Sequence, residues 1–216
     1  MRMLITGANR GIGAALFETA KARGDDVTGT TRSLDHPELV SLDVRDPDSC
    51  EALAQQMAND PIDILVCNAG VYLEKNQSPR RLNDTSLWEN TFATNVTGVY
   101  LTAISFLTHL KRATSPKIAI ISSQMGSSTR AGGNAFIYRA SKAAALNLGR
   151  NLAVDLKPEG IAVGIYHPGW VRTDMGGSSA SIGVQESADG LLRRFDALSL
   201  DTTGCFEMWN GDAMPF

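Results

Sequence analysis

Thr6-Gly7-Ala8-Asn9-Arg10-Gly11-Ile12-Gly13 decides how this sequence is read. Ahead of it, residues 3–6 are a short, mostly apolar run that reads as a strand. Behind it, residues 12–23 carry Leu16 and Ala20 on one helical face and stop at Gly24. Between a first strand and a first helix, such a turn lets the backbone bend sharply and offers free N–H groups to a pyrophosphate. Gly7, Gly11 and Gly13 supply the bend, Asn9 and Arg10 fill it, and the helix start at Ile12 adds its positive dipole end. Any tight strand–helix connection can use glycines. The position at the first crossover gives this one its weight.

Outward from the turn, strand and helix alternate. Residues 27–31, 39–42, 62–67, 117–122, 161–166 and 204–208 read as strands. Residues 47–59, 87–111, Phe136–Leu156 and 186–198 read as helices, with Pro47 suited to a first turn. The pattern predicts an α/β fold. It is a single domain over residues 1–216, a Rossmann-type doubly wound parallel sheet of about seven strands with helices on both faces. Two longer polar loops, 74–85 and 176–185, interrupt the alternation. The first reads equally as a lid or a surface insertion; the second, near the end of a strand, favours a lid.

Composition narrows the function classes. The 216 residues carry a formal net charge of −3, with 43% hydrophobic and 20% charged residues. That balance leaves no overall footprint for nucleic acid or an anionic membrane. No apolar run approaches the roughly 20 residues needed to span a bilayer. The first residues run directly into a strand with no signal-peptide pattern, so a cytoplasmic protein is expected. Cys50, Cys67 and Cys205 are scattered and read as reduced thiols, two of them in strands. His36, His109 and His167 form no metal motif, so no metal is expected. His167, beside Pro168-Gly169, reads as cleft-lining or structural.

The end of the second strand should meet the adenosine ribose of a dinucleotide. An acid there would mark NAD, but the segment is Gly29-Thr30-Thr31-Arg32-Ser33. Arg32 can pair with a 2′-phosphate, and Arg10 can reach the same side. Such a charge-assisted contact is worth roughly 1.5–3 kcal/mol, or about 10- to 150-fold in preference. NADP is therefore the expected cofactor, NADPH preferred over NADH.

Tyr138-Arg139-Ala140-Ser141-Lys142 puts a phenol and an ammonium four apart, on one helical face. A free tyrosine, with a pKa of about 10, is a sluggish acid or base at neutral pH. A neighbouring ammonium favours the phenolate, and reaching about 7 takes roughly 4 kcal/mol. Ser122-Ser123 ends the preceding strand at the carboxyl edge, where open α/β sheets bind ligands. A hydroxyl there can stabilise a substrate oxygen.

Taken together these residues resemble the short-chain dehydrogenase/reductase family along nearly the whole chain. The TGxxxGxG turn is residues 6–13, and Asn68-Ala69-Gly70 matches the NAG motif, with Cys67 where a first Asn is usual. Asp43-Val44 matches the adenine-contacting pair, and Asn95 the asparagine that completes a Ser-Tyr-Lys-Asn relay. Pro168-Gly169-Trp170-Val171-Arg172-Thr173 matches the segment flanking the nicotinamide, contributing Pro168, Gly169, Val171 and Thr173. The Ser123–Tyr138 spacing and the ending Phe206-Glu207-Met208-Trp209-Asn210-Gly211 are similar to the C-factor-like and sniffer-type carbonyl reductase subgroup. Ser122 and Ser123 both remain candidates for the substrate-facing hydroxyl, and we take Ser123.

The resemblance implies a mechanism. Tyr138 protonates a carbonyl oxygen, with NADPH as hydride source, and Ser123 orients that oxygen. Lys142 lowers the tyrosine pKa and holds the nicotinamide ribose, and Asn95 positions a water leading from Lys142 to solvent. The partner is a small carbonyl or alcohol compound. Its pocket should draw on Met125, Trp170 and the two polar loops. A homodimer or homotetramer is expected, the small residues Ala143, Ala144 and Ala145 permitting close helix packing. A cofactor-binding signalling protein of C-factor type is the alternative. A nucleotide-sugar epimerase would need a different glycine spacing and a larger C-terminal region.

Overall fold

A computed structural model describes residues 1–33, 36–58, 60–75, 77 and 84–216. The strands are β1 (Arg2–Ile5), β2 (Asp26–Thr31), β3 (Val40–Ser41), β4 (Ile64–Cys67), β5 (Lys117–Ile121), β6 (Ala162–His167) and β7 (Phe206–Met208). They form one seven-stranded sheet in the order β3-β2-β1-β4-β5-β6-β7, and every pair is parallel. The order reverses between β1 and β4, and ligand crevices in open α/β sheets lie outside such a point.

Parallel strands need crossovers, which the helices provide. They are α1 (Gly11–Ala22), α2 (Pro47–Met57), α3 (Thr85–Phe92), α4 (Gly98–Ser105), α5 (Leu107–Leu110), α6 (Phe136–Leu156) and α7 (Val184–Ala197). Strand side chains alternate between two cores. Leu4, Leu65, Cys67, Ile118, Ile120, Val163 and Ile165 pack with residues of α2, α4 and α6. Met3, Ile5, Ile64, Val66, Ala119, Ile121 and Tyr166 pack with Leu16 and Phe17 of α1 and Leu191 and Phe195 of α7. Both faces of the sheet are thus covered, which explains why its inner strands are near-continuous apolar runs.

The structure corrects two expectations. The continuous helix over 87–111 is instead α3, a π-helical turn at Ala93–Thr97, then α4 and α5. A π-turn holds one residue more than the 3.6 period allows, and the chain around it is rich in threonine. Thr94 donates to the Asn90 carbonyl at 3.0 Å and Thr102 to the Gly98 carbonyl at 2.6 Å. Such back-bonding bends helices. Second, only Cys67 lies in a strand: buried Cys50 is on α2, and half-buried Cys205 precedes β7. Of the two readings left open for His167, the structural one holds: it is buried at the end of β6, outside the cleft wall. Of the 74–85 loop, residues 76 and 78–83 lie outside the described residues, as does Asn59 at the expected end of α2.

Candidate active site

The turn between β1 and α1 works because of how closely it packs. Gly7 has φ +67°, a left-handed conformation that glycine adopts without strain. A Cβ on Gly13 would lie 2.2 Å from the Gly7 carbonyl oxygen and 2.4 Å from Asn68 Nδ2. Asn68 ties the turn to the end of β4, its amide donating to the Thr6 and Gly7 carbonyls at 2.9 and 3.1 Å. Thr6 Oγ1 returns the tie, accepting from the Asn68 and Ala69 N–H groups at 3.0 Å each.

A cleft of about 630 Å³ runs along the carboxyl edge of the sheet. Gly7, Asn9, Arg10, Gly11, Ile12, Gly13, Arg32, Asp43, Val44, Asn68, Ala69, Gly70, Tyr138, Lys142, Pro168 and Thr173 all line it. Gly169 and Val171 stand behind this wall, Val171 buried and bridged to Ile182, and Gly169 against Trp209 and Ile182. The close glycine turn, the basic rim at Arg10 and Arg32, and the cleft's length fit an extended dinucleotide.

At the outer end Arg32 is exposed, and its charge helps hold the Asp43 carboxyl below its usual range. The main cause is Arg45, whose guanidinium reaches Asp43 at 2.9 Å through Nε and 2.6 Å through Nη2. Arg45 escaped the sequence reading, although its place two residues beyond Asp43 was the available signal. At the mouth, Asp174 joins two loops. Its carboxylate lies 3.6 Å from Arg10 Nη1, and its carbonyl accepts from Lys75 Nζ at 2.6 Å.

At the inner end, α6 delivers Tyr138 and Lys142. Both are buried, and Lys142 Nζ lies 5.7 Å from the Tyr138 ring centre. Lys142 Nζ donates to the Ile121 carbonyl at 2.9 Å. Burial pulls its pKa down to about 8, leaving it largely charged at neutral pH. Burial pushes the Tyr138 phenol up to about 12; the Ser123 hydroxyl beside it pulls down, while Tyr72 and Glu74 push up. This is opposite to the lowering that the Tyr–Lys spacing predicts, because desolvation outweighs the stabilising neighbours.

The two serines are separated by their partners. Ser122 Oγ donates to the Lys142 carbonyl at 3.1 Å and so pins α6 to β5. Ser123 Oγ accepts from the Met125 N–H at 3.1 Å and neighbours the phenol, while Ser122 is the serine that lines the cleft. Asn95 sits in the π-turn, buried. Its Nδ2 donates to the Val71 carbonyl and to Ser141 Oγ, both at 2.9 Å, and its Oδ1 accepts from the Val71 N–H at 2.8 Å. The Asn95 side chain therefore braces the loop after β4. A Cβ on Gly70 would lie 3.4 Å from both Asn95 Oδ1 and Lys142 Nζ, so these groups meet around that glycine.

At the front of the pocket, the sequence pointed to Lys75 through the 74–85 loop and missed Tyr72, Leu73 and Met175. The Tyr72 ring packs on Tyr138 with centroids 4.7 Å apart. Met175 Sδ lies 3.9 Å from the Tyr138 hydroxyl, and Leu73 and Lys75 join the wall. Met125 and Trp170 stand outside the wall, the Trp170 indole N–H turned to the Gly176 carbonyl at 2.8 Å. Among the described residues no group of His, Cys, Asp and Glu side chains could hold a metal ion, and no helix is long and apolar enough to cross a membrane.

Comparison with known proteins agrees with this geometry. The short chain dehydrogenase family model matches residues 1–181. C-signal of Myxococcus xanthus is 34% identical over 177 residues, covering 76% of this chain and 99% of that protein. The NADPH-bound carbonyl reductase from chicken fatty liver superposes with a TM-score of 0.88 at 30% identity, covering 100% of this chain and 98% of that one. The carbonyl reductase Sniffer of D. melanogaster superposes at 0.89 with 27% identity, covering 100% and 99%. With its fold, cleft and motifs in agreement, the chain belongs to the short-chain dehydrogenase/reductase family, NAD(P)-using oxidoreductases acting on CH–OH and C=O groups.

Proposed function

We propose that this protein reduces a small, partly apolar carbonyl compound with NADPH, or oxidises the corresponding alcohol, Tyr138 serving as the proton donor and acceptor. One observation carries the reading. The buried Tyr138 phenol, beside Ser123 and Lys142, closes the inner end of a cleft whose outer rim carries Arg10 and Arg32. NADPH bound along that cleft supplies the hydride. Arg32 and Arg10 take the 2′-phosphate side, the N–H groups of the Gly7–Gly13 turn take the pyrophosphate, and Asp43-Val44 take adenine. Tyr138 gives its phenolic proton to the carbonyl oxygen as negative charge grows there, and Ser123 donates to the same oxygen. Lys142 holds the nicotinamide ribose hydroxyls, and its charge steadies the phenolate left behind. Asn95 keeps the loop after β4 in register, beside the water route to Lys142. Tyr72, Leu73 and Met175 give the substrate an apolar seat. The reading includes a cytoplasmic homodimer or homotetramer.

The test is cofactor consumption over a panel of aldehydes, ketones and quinones. NADPH should outperform NADH, and Tyr138→Phe should lower kcat by about 10²- to 10⁴-fold. No turnover on any member would sink the enzymatic reading. The similarity to C-signal favours a second reading in that event, a cofactor-binding signalling protein with little turnover. Tight NADPH binding without consumption is its signature.

A further inference from the structure

We infer that Glu74 is a positioning residue for the catalytic tyrosine: its buried carboxylate fixes the start of α6 through the Tyr138 N–H and sets a negative charge on the side of the phenol. The inference rests on the reductase reading above and adds a residue that no motif marks.

Three observations carry it. First, α6 lacks an ordinary N-cap. Ala135 enters it at φ 52°, ψ 47°, a left-handed conformation unusual for a residue with a Cβ, and no side chain at that position caps the helix. Glu74 does so from another element, its Oε1 accepting from the Tyr138 N–H at 2.7 Å. The acceptor is thus bonded to the backbone of the reacting residue itself, with negative charge at the positive helix end. Second, Glu74 is only 3% exposed, and its Oε2 is buried without a hydrogen-bond partner among the described residues. Such a carboxylate is costly and has no place in the cleft wall. Third, the loop from Val71 to Lys75 contacts every element that builds the site. Val71 holds Asn95, Tyr72 packs on Tyr138, Glu74 holds the Tyr138 backbone, and Lys75 holds Asp174.

A negative charge this close disfavours a second one on the phenol. The other groups facing Tyr138 are Ser123 after β5, Tyr72 on the same loop as Glu74, Lys142 on α6 and Met175 after β6. Arg139 on α6 acts on Tyr72. Glu74 and Tyr72 oppose ionisation of the phenol, while Ser123 and Lys142 favour it.

The experiment compares Glu74→Gln with Glu74→Ala in the full chain, with Tm checking the fold. Glutamine keeps an oxygen for the Tyr138 N–H and loses the charge. Alcohol oxidation needs the phenolate to take the hydroxyl proton. The acid limb of its kcat–pH profile should therefore move to lower pH in E74Q, raising oxidation at pH 7 by about three- to tenfold. E74A should lose kcat in both directions, with KM for NADP within about twofold of wild type since Glu74 is outside the cleft wall. E74Q should restore the reduction rate. An acid limb that stays put in E74Q overturns the inference, whatever the rate. If the wild type turns over nothing, the reductase reading has failed separately. The inference is then read from ultraviolet absorbance of tyrosinate in NADP-loaded protein, with Tyr138→Phe as the blank. A Tyr138 titration unmoved by E74Q overturns it there too.

Discussion

Arg32 and Tyr138 bear opposite relations to water, and this sets what each can do. Arg32 is exposed at the rim, so a phosphate meeting it there would be screened by solvent and salt. Arg32→Ala should narrow the ratio of kcat/KM for NADPH over NADH by about tenfold, mostly through KM; an unchanged ratio removes Arg32 from cofactor choice. Tyr138 is buried, and there the surroundings reverse the simple pairing argument. Its spacing from Lys142 is legible in five consecutive letters, as is Asn68 in its motif. Glu74 and Tyr72 were not, because each meets Tyr138 across more than sixty positions, a contact made only by the tertiary fold. Ser122 and Ser123 both lie past the end of β5, and only their partners in the fold, the Lys142 carbonyl and the Met125 N–H, tell them apart.

The turn between β1 and α1 and the π-turn before α4 show the two limits of reading elements from sequence. The first is written in glycines whose need is steric, and the sequence located it within a residue. Gly13→Ala should therefore disturb both folding and binding. The new methyl would overlap the Gly7 carbonyl, costing about 1–3 kcal/mol in stability and weakening NADPH binding more than tenfold. A wild-type Tm and Kd would show that the turn can open without loss. The π-turn carries no comparable signature, since one surplus residue in a helix leaves the 3.6-residue pattern readable on either side. Only burial of Asn95 against Val71 and Ser141 reveals it.

At the scale of the molecule, the buried histidines couple stability to pH. Burial pulls His167 down to about 4, and its Nδ1 is buried without a partner among the described residues. His109 moves in the same direction for the same reason. Unfolded histidine binds its proton near 6.5, while folded His167 waits until about 4. The unfolded state thus holds more protons in that window, and stability falls as pH drops from about 6.5 to 4. His167→Gln should flatten this slope, removing at most about 3 kcal/mol of the loss; chemical denaturation at pH 7, 5.5 and 4.5 would measure it, and parallel slopes would assign the effect elsewhere. The sheet order adds a consequence for synthesis. β1 lies inside the sheet, between β2 and β4, and is made before either of them. Its β4 edge stays unpaired until Ile64–Cys67 has been made, and the edge strand β7 is added only with Phe206–Met208. Long-range parallel pairing of this kind folds slowly and leaves nascent chains open to aggregation. A strand paired on both edges in the fold thus carries one open edge through an early stretch of its synthesis.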